Sequence, residues 1–197
     1  TAPGEALHGA LQADVIVIGG GMAGLGTALG LLDVRPGLDL AVLEARDFGC
    51  GASGRNAGIV ESPMLMPIWL LDGSLPPADA RWALGALHRK AEAEMRRWTS
   101  VCPREDLRPA RVLLGACSRL AAAALCHARA RLDAAEIGVR WIPAAEVEAA
   151  CGARGSGALS LPGHVVNPLA LLRAVADAAR RAGARLFSHT PVTRLLD

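Results

Sequence analysis

The chain has 197 residues, of which 52% are hydrophobic and 20% are charged, and its formal net charge is +2. This composition excludes intrinsic disorder and collagen-like structure, and it leaves a globular or a membrane-embedded chain. The cations are scattered singly or in pairs rather than gathered in a stripe, so we expect no nucleic-acid partner. The length suits one complete domain but is short for a two-domain enzyme.

The first candidate element is an uncharged stretch from Val15 to Leu32, whose 18 residues approach the length of a membrane span. It opens with the β-branched run Val15–Ile18, which three consecutive glycines follow directly. Glycine destabilises a helix interior, by about 1 kcal/mol relative to alanine. The stretch therefore predicts a strand, a turn and a helix, and we expect no transmembrane segment.

Residues 19–24 read GGGMAG, which is the pattern G-x-G-x-x-G placed between the predicted strand and helix. In such a turn Gly19 allows the tight reversal, Gly21 lets a pyrophosphate approach the backbone, and Gly24 lets the helix pack closely on the strand. The anion then lies at the N-terminus of the helix. The motif predicts a dinucleotide site.

A second strand, Leu38 to Leu43, is expected after the break at Pro36-Gly37, and it ends in Glu44. Glu44 follows Gly24 by 20 residues, the distance at which an acidic side chain accepts hydrogen bonds from ribose hydroxyls. Apart from Arg46, no arginine lies close to Glu44 in the sequence, and this scarcity of arginines favours an unphosphorylated 2′-hydroxyl on the ribose. The βαβ unit therefore predicts binding of NAD or of the adenosine half of FAD.

The loop after Glu44 is rich in small residues and contains the run GASGRNAG at residues 51–58. Hydroxyl, amide and guanidinium donors among small residues are typical of a loop that lies against a flat, anionic group. Together with the glycine turn and the acid, this run resembles the FAD-dependent oxidoreductases of the D-amino-acid, glycine and sarcosine oxidase type, known as the DAO family. The resemblance implies FAD as the cofactor.

The same resemblance implies the cofactor-binding residues. They are, in chain order, Gly19, Gly21, Met22, Ala23 and Gly24 at the pyrophosphate, Glu44 at the adenosine ribose, Ala45 and Arg46 on the adenine side, Ala52, Ser53 and Arg55 at the phosphates, Asn56, Ala57, Gly58 and Ile59 near the isoalloxazine ring, and Val192, which contacts adenine through its backbone.

The middle of the chain, residues 62–160, resembles an insertion that begins a substrate domain. We expect an apolar loop over 63–77, a helix over about 78–99, a strand over 112–116, a helix over 118–136 and a short strand over 139–142. Helical spacing predicts that four side chains lie in the core, namely Trp82, Leu84, Leu87 and Met95.

Residues 161–197 resemble the family's return to the flavin domain. A helix is expected from Asn167-Pro168 to Gly183, then a strand from Ala184 and the run TPVTR. The expected fold is thus α/β: a Rossmann-like FAD-binding domain (1–61 and 161–197) with an interleaved α+β substrate domain (62–160), apparently truncated. A C-terminal half or a completing subunit is then an expected partner.

Neither the histidines nor the cysteines indicate a metal site. The five cysteines form no C-x-x-C pair, which favours a reducing compartment. His88, His127, His164 and His189 show no ligand spacing. The chain begins without Met and without an apolar signal core, as a processed or truncated start does, and we expect a cytoplasmic or organelle-matrix location.

The resemblance implies that a small amine or amino acid is oxidised at its C–N bond by hydride transfer to the flavin, giving an imine that hydrolyses. The family's catalytic residues lie mostly beyond the matched half, so none is assigned. Two alternatives stay open: a non-catalytic FAD-fold fragment or scaffold subunit, and the oxidase-like domain of a tRNA-modifying enzyme.

Overall fold

The computed structural model describes residues 5–61 and 77–196. The chain divides into two compact units, each drawn from separated stretches of sequence. The first unit comprises Thr1–Gly58, Trp98–Leu107 and Val166–Asp197, and the second comprises Ile59–Arg97 and Arg108–Val165. The functional division into a flavin domain and a substrate domain stays a prediction.

A three-stranded parallel sheet forms the centre of the first unit. Strand β1 (Val15–Ile18), helix α1 (Met22–Val34) and strand β2 (Leu40–Leu43) follow one another, and β7 (Arg185–Phe187) lies on the other side of β2. Since β2 lies between two neighbours, all four of its residues are buried. The predicted strand, turn, helix and strand are confirmed.

Strand β2 begins two residues later than predicted, because the chain is still turning after α1. The backbone N–H of Leu38 donates to the carbonyl oxygen of Arg35 (3.3 Å), and Gly37 has a φ of +82°. Such a left-handed residue is typical of a turn and incompatible with an extended strand.

Helix α5 (Pro168–Arg181) packs beside α1 in the first unit. Its start is fixed by Asn167, whose side-chain oxygen accepts hydrogen bonds from the N–H groups of Leu169 (3.2 Å) and Ala170 (3.3 Å). Its buried face, with Leu172 and Val175 at its centre, supplies the apolar contact that stabilises the pair. The predicted helix is confirmed.

The second unit is organised around strand β6 (Ala158–Val166). Strand β6 pairs in antiparallel fashion with β3 (Ile59–Glu61) and β5 (Arg140–Ile142), and its other neighbour is β4 (Leu107–Gly115). Three helices complete the order of elements: α2 (Pro77–Val101), which continues into the first unit, α3 (Arg119–Ala134) and α4 (Ala144–Cys151).

Strand β6 and helix α4 were not expected from the sequence, and β4 is longer than expected. Pro162 and Gly163 disfavour a central strand, because proline cannot donate to the ladder. In the structure Pro162 falls between the residues that pair with β5 (158–160) and those that pair with β3 (163–165). Its missing N–H therefore removes no bond from either of these pairings.

The core of the second unit gathers around Leu132, Ile137 and Leu159. Small residues of α2 face inward: Ala83 packs against this core and Gly85 is buried. The core prediction is therefore wrong for the two α2 side chains that are exposed, Trp82 (73%) and Leu87 (43%). Met95 is half-buried, and the side chain of Leu84 lies outside the description.

None of the described helices is long and apolar enough to cross a membrane.

Candidate nucleotide-binding site

The glycine turn between β1 and α1 has a geometry that side chains would prevent. Gly19 has a φ of +102°, a conformation that L-residues rarely adopt. A Cβ on Gly24 would overlap the carbonyl oxygen of Gly19, so the first turn of α1 packs directly on the backbone before it. Gly21 caps the helix without a side-chain hydrogen bond of its own. The N-terminus of α1 is therefore lined by glycines, as helix N-termini that bind anions are, and binding of a pyrophosphate there stays a prediction.

Glu44 lies immediately beside this turn, at the carboxyl end of β2. One of its carboxylate oxygens accepts a hydrogen bond from the N–H of Gly20 (2.7 Å), and the other accepts from the N–H of Arg46 (3.0 Å). These two bonds fix the orientation of the carboxylate. Because each carboxylate oxygen has two lone pairs, both can still accept a hydrogen bond from a ribose hydroxyl.

The second glycine loop lies against the start of α1. The Ser53 hydroxyl accepts a hydrogen bond from the N–H of Met22 (3.0 Å), and Ala52–Gly54 form a single 3-10 turn. A Cβ on Gly54 would overlap the carbonyl oxygen of Gly49, so the loop folds tightly on itself. The structure thus brings the two glycine motifs of the sequence together.

Asn56 organises the end of this loop. Its side-chain nitrogen donates to the carbonyl oxygens of Ala52 (3.2 Å) and Ser53 (3.0 Å), and its side-chain oxygen accepts from the N–H of Gly58 (2.8 Å). Gly58 has a φ of +67°, and a Cβ there would overlap the carbonyl oxygen of Val166. The amide is thus engaged with the loop backbone, and a contact of Asn56 with a flavin ring stays a prediction.

Several of the remaining predicted residues are exposed around the turn and the loop. Of the sixteen predicted residues, fifteen lie in the first unit, whereas Ile59 begins β3 in the second unit. The exposed ones include Ala45, Arg46, Arg55 and Ala57. Val192 is 37% exposed.

Sequence reasoning missed the residues that hold the end of β7 beside Glu44. The N–H of Thr190 donates to the carbonyl oxygen of Glu44 (2.9 Å), and the N–H of His189 donates to that of Arg46 (3.2 Å). The imidazole of His189 also lies 3.1 Å from the carboxylate of Asp47. His189 and Thr190 lie more than 140 positions after residues 44–47 in the chain, so no local sequence pattern predicts these contacts.

No metal site appears among residues 5–61 and 77–196, where no group of three or more His, Cys, Asp or Glu side chains could hold an ion. Cys50, in the second glycine loop, is a free and half-buried thiol. A glycine-lined helix N-terminus, an oriented carboxylate and exposed arginines instead fit the pyrophosphate and ribose of a dinucleotide such as FAD.

The chain is similar to several oxidoreductases in sequence and in structure. It is 49% identical over 57 residues to gamma-glutamylputrescine oxidoreductase of Escherichia coli strain K12, a match that covers 29% of this chain and 13% of that protein. It is 27% identical over 190 residues to L-2-hydroxyglutarate dehydrogenase of Salmonella houtenae, covering 93% of this chain and 41% of that protein.

Among solved structures, glycine oxidase from Geobacillus kaustophilus superposes with a TM-score of 0.62 at 23% identity, covering 90% of this chain and 46% of that one. The chain therefore spans less than half the length of each of these proteins. The family model of FAD dependent oxidoreductases matches residues 14–197, nearly the entire chain. The chain belongs to this family of FAD-dependent oxidoreductases, the DAO family.

Proposed function

We propose that this chain forms the nucleotide-binding part of an enzyme that oxidises the C–N bond of a small amine or amino acid. The observation that carries the proposal is the position of the Glu44 carboxylate, 2.7 Å from the N–H of Gly20 in the glycine turn. An acid fixed at the carboxyl end of the second strand, beside a helix N-terminus, is the arrangement that binds the adenosine end of a dinucleotide.

The chain's own residues would hold and orient FAD, which when bound supplies the hydride acceptor. Glu44 would accept hydrogen bonds from the ribose, and the N-terminus of α1 would bind the pyrophosphate. Because Ser53 and Asn56 fix the loop over residues 52–58 in advance, little ordering remains when FAD binds. This preorganisation is the contribution that we assign to the chain.

The choice of an amine or amino acid as substrate is supported by two of the similar proteins. Gamma-glutamylputrescine oxidoreductase and glycine oxidase carry such substrates in their names. Because the chain spans less than half of either protein, the reaction is proposed for the whole protein, and no described residue is assigned a catalytic role.

A 2-hydroxy acid is a second candidate substrate. The match to L-2-hydroxyglutarate dehydrogenase covers 93% of this chain, far more than the match to the putrescine enzyme. Anaerobic bleaching of the flavin separates the two: amines or amino acids bleach it if the C–N bond is oxidised, and 2-hydroxy acids bleach it if a C–O bond is oxidised.

Further polypeptide, either a C-terminal half or a completing subunit, is the partner that we propose. It is supported by the exposure of Ile16 (46%) and Ile18 (54%) on β1, the edge strand of a parallel sheet. Parallel sheets are normally covered on both faces.

The proposal is tested by the absorbance spectrum of the purified protein after incubation with FAD and removal of the excess. We expect flavin bands at about 370 and 450 nm, and release of FAD on denaturation. Glu44→Ala should lose most of the bound flavin, whereas Glu94→Ala, an exposed glutamate within α2, should retain it. A folded, colourless wild-type protein that takes up no FAD would contradict the proposal.

A further inference from the structure

The chain segment after β7 extends the β2–β7 pairing beyond the sheet. The N–H of Glu44 donates to the carbonyl oxygen of Phe187 (2.8 Å), and the next two bonds run from His189 to Arg46 (3.2 Å) and from Thr190 to Glu44 (2.9 Å). Residues 44–47 and 187–190 therefore form one hydrogen-bonded pair of segments. Two groups predicted to contact adenosine, Glu44 and Arg46, lie within it.

One side-chain contact also connects these two segments. The Nε2 atom of His189 lies 3.1 Å from Oδ1 of Asp47. His189 has a φ of +50°, a left-handed conformation that is uncommon for a residue other than glycine. Its backbone conformation and its side-chain contact are therefore both set by the neighbouring segment rather than by local preference.

Three further hydrogen bonds connect Asp47, and Thr190 next to His189, to their surroundings. The Thr190 hydroxyl donates to the carbonyl oxygen of Ser188 (2.8 Å) and accepts from the N–H of Leu7 (3.0 Å). The N–H of Cys50 donates to the carbonyl oxygen of Asp47 (3.1 Å), so Asp47 also begins the turn that leads to the second glycine loop.

We propose that Asp47 and His189 form a positioning pair for the adenosine half of FAD, which deepens and rests on the function proposed above. By joining the loop after β2 to the segment after β7, the pair sets where Glu44 and Arg46 lie relative to Val192. Its side chains are 57% exposed for His189 and 66% for Asp47, and such exposed pairs contribute little to global stability. Its effect should therefore appear in binding, through the ordering of two loops before the ligand arrives.

The test measures the dissociation constants of FAD and of ADP, which carries only the adenosine and phosphate end. Asp47→Ala and His189→Ala should each weaken both ligands by about threefold to tenfold. The double variant should be no weaker than the worse single variant, since either substitution already breaks the pair. Asp47→Asn, which retains an acceptor oxygen, should recover part of the loss.

A matched control is available in the second unit, where Arg129 and Asp133 form a similarly short and similarly exposed ion pair (3.2 Å). Asp133→Ala should leave both dissociation constants unchanged. His189→Asn keeps a residue that tolerates the left-handed conformation but removes the imidazole, so it should behave like His189→Ala. The melting temperature of each variant without ligand should stay close to that of the wild type.

Three results would overturn the inference. The variants could bind FAD and ADP as the wild type does, or the two single losses could add in the double variant. A large drop in the ligand-free melting temperature that parallels the lost affinity would instead indicate a merely structural role. If the wild type itself binds neither ligand, the proposed function fails and this inference fails with it. This outcome is distinguishable, because in the three results above the wild type still binds both ligands.

Discussion

The hydroxyl of Ser53 accepts a hydrogen bond from the backbone N–H of Met22 (3.0 Å), 31 residues earlier in the chain. Helix α1 begins at Met22, and Gly21 before it has no side chain that could cap the helix. The first N–H groups of a helix have no partner within the helix, so side chains, water or a ligand must satisfy them. Ser53 satisfies that of Met22, and it thereby joins the second glycine loop to the glycine turn.

Replacing Ser53 by alanine should weaken both the fold and the site. Loss of a capping hydroxyl lowers the free energy of unfolding by about 1 kcal/mol, which corresponds to about 2–4 °C in melting temperature for a chain of this size. We also expect FAD affinity to fall severalfold, because the second glycine loop is no longer held against α1. Thermal denaturation and a flavin titration measure the two effects.

Ser118→Ala is the matched control for this variant. Ser118 caps helix α3, where its hydroxyl accepts from the N–H of Ala121 (3.1 Å). The stability loss should be similar, but FAD affinity should not change because the helix lies in the second unit. Equal loss of affinity in both variants would show that Ser53 acts through stability alone.

Gly24→Ala and Gly26→Ala should have opposite effects on the melting temperature, although both residues lie in the first two turns of α1. A Cβ at position 24 would overlap a backbone oxygen that cannot move aside, so Gly24→Ala should abolish FAD binding and lower the melting temperature sharply. A Cβ at position 26 would lie 3.5 Å from the Trp98 ring, an ordinary contact. Because alanine favours a helix by about 1 kcal/mol over glycine, Gly26→Ala should raise the melting temperature.

Circular dichroism melts and flavin titrations of the two variants, each beside the wild type, provide the measurement. Gly30→Ala extends the comparison, since a Cβ there meets nothing within 4 Å and should also be stabilising. A tolerated alanine at position 24 would contradict the close approach of α1 to Gly19.

Local signals in the sequence were sufficient for the elements of the first unit. The β-branched run before Gly19 predicted β1, and Asn167 followed by proline predicted the start of α5, because strand preference and helix capping depend on neighbouring residues. Pairing between distant segments left no such signal. The contacts of His189 and Thr190 with residues 44–47 depend on the parallel pairing of β2 with β7, which only the folded chain shows.

The errors in the second unit have a related cause. Pro162 hides β6 because a proline disfavours a central strand, and the sequence alone does not show that this proline falls between the residues paired with β5 and those paired with β3. Trp82 was expected in the core because an aromatic residue usually packs there, yet α2 turns the smaller Ala83 and Gly85 inward. Composition identifies an amphipathic helix but does not always identify which face is buried.

Cys102 should be chemically inert in the folded protein. It should also make the free energy of unfolding fall as the pH becomes alkaline. Its side chain is 5% exposed, and burial raises the pKa of the Cys102 thiol, with a further increase from the negative charges of Asp106 and Glu105. The folded state therefore keeps the proton to a higher pH than the unfolded chain does. The thiol's contribution to the free energy of unfolding is complete below the ordinary value of 9.0 and is lost as the pH rises through the raised pKa.

Two measurements check this expectation. Iodoacetamide labelling followed by mass spectrometry should modify the exposed Cys117, Cys126 and Cys151 well before Cys102, since the thiolate is the reactive form. Chemical denaturation across alkaline pH should show a decline in stability that Cys102→Ala reduces. Labelling of Cys102 as fast as the exposed thiols would contradict the buried position.

The exposed face of β1 should make the isolated chain self-associate. Val17 faces α1, because its side chain lies 3.4 Å from the position of a Cβ on Gly24. Alternation along a strand then turns Ile16 and Ile18 to the opposite face, where they are 46% and 54% exposed. Adjacent apolar side chains at the edge of a parallel sheet are a surface that another polypeptide tends to cover.

The double substitution Ile16→Thr, Ile18→Thr should lower this association while keeping the β-branched side chains that favour a strand. Val34→Thr is the control, since Val34 is 88% exposed at the end of α1 rather than on a strand. Sedimentation velocity over a range of concentrations should show larger species for the wild type and the control than for the double variant. If a C-terminal half or a completing subunit covers β1, its presence should abolish the association of the wild type. Equal association of all three proteins would mean that another surface is responsible.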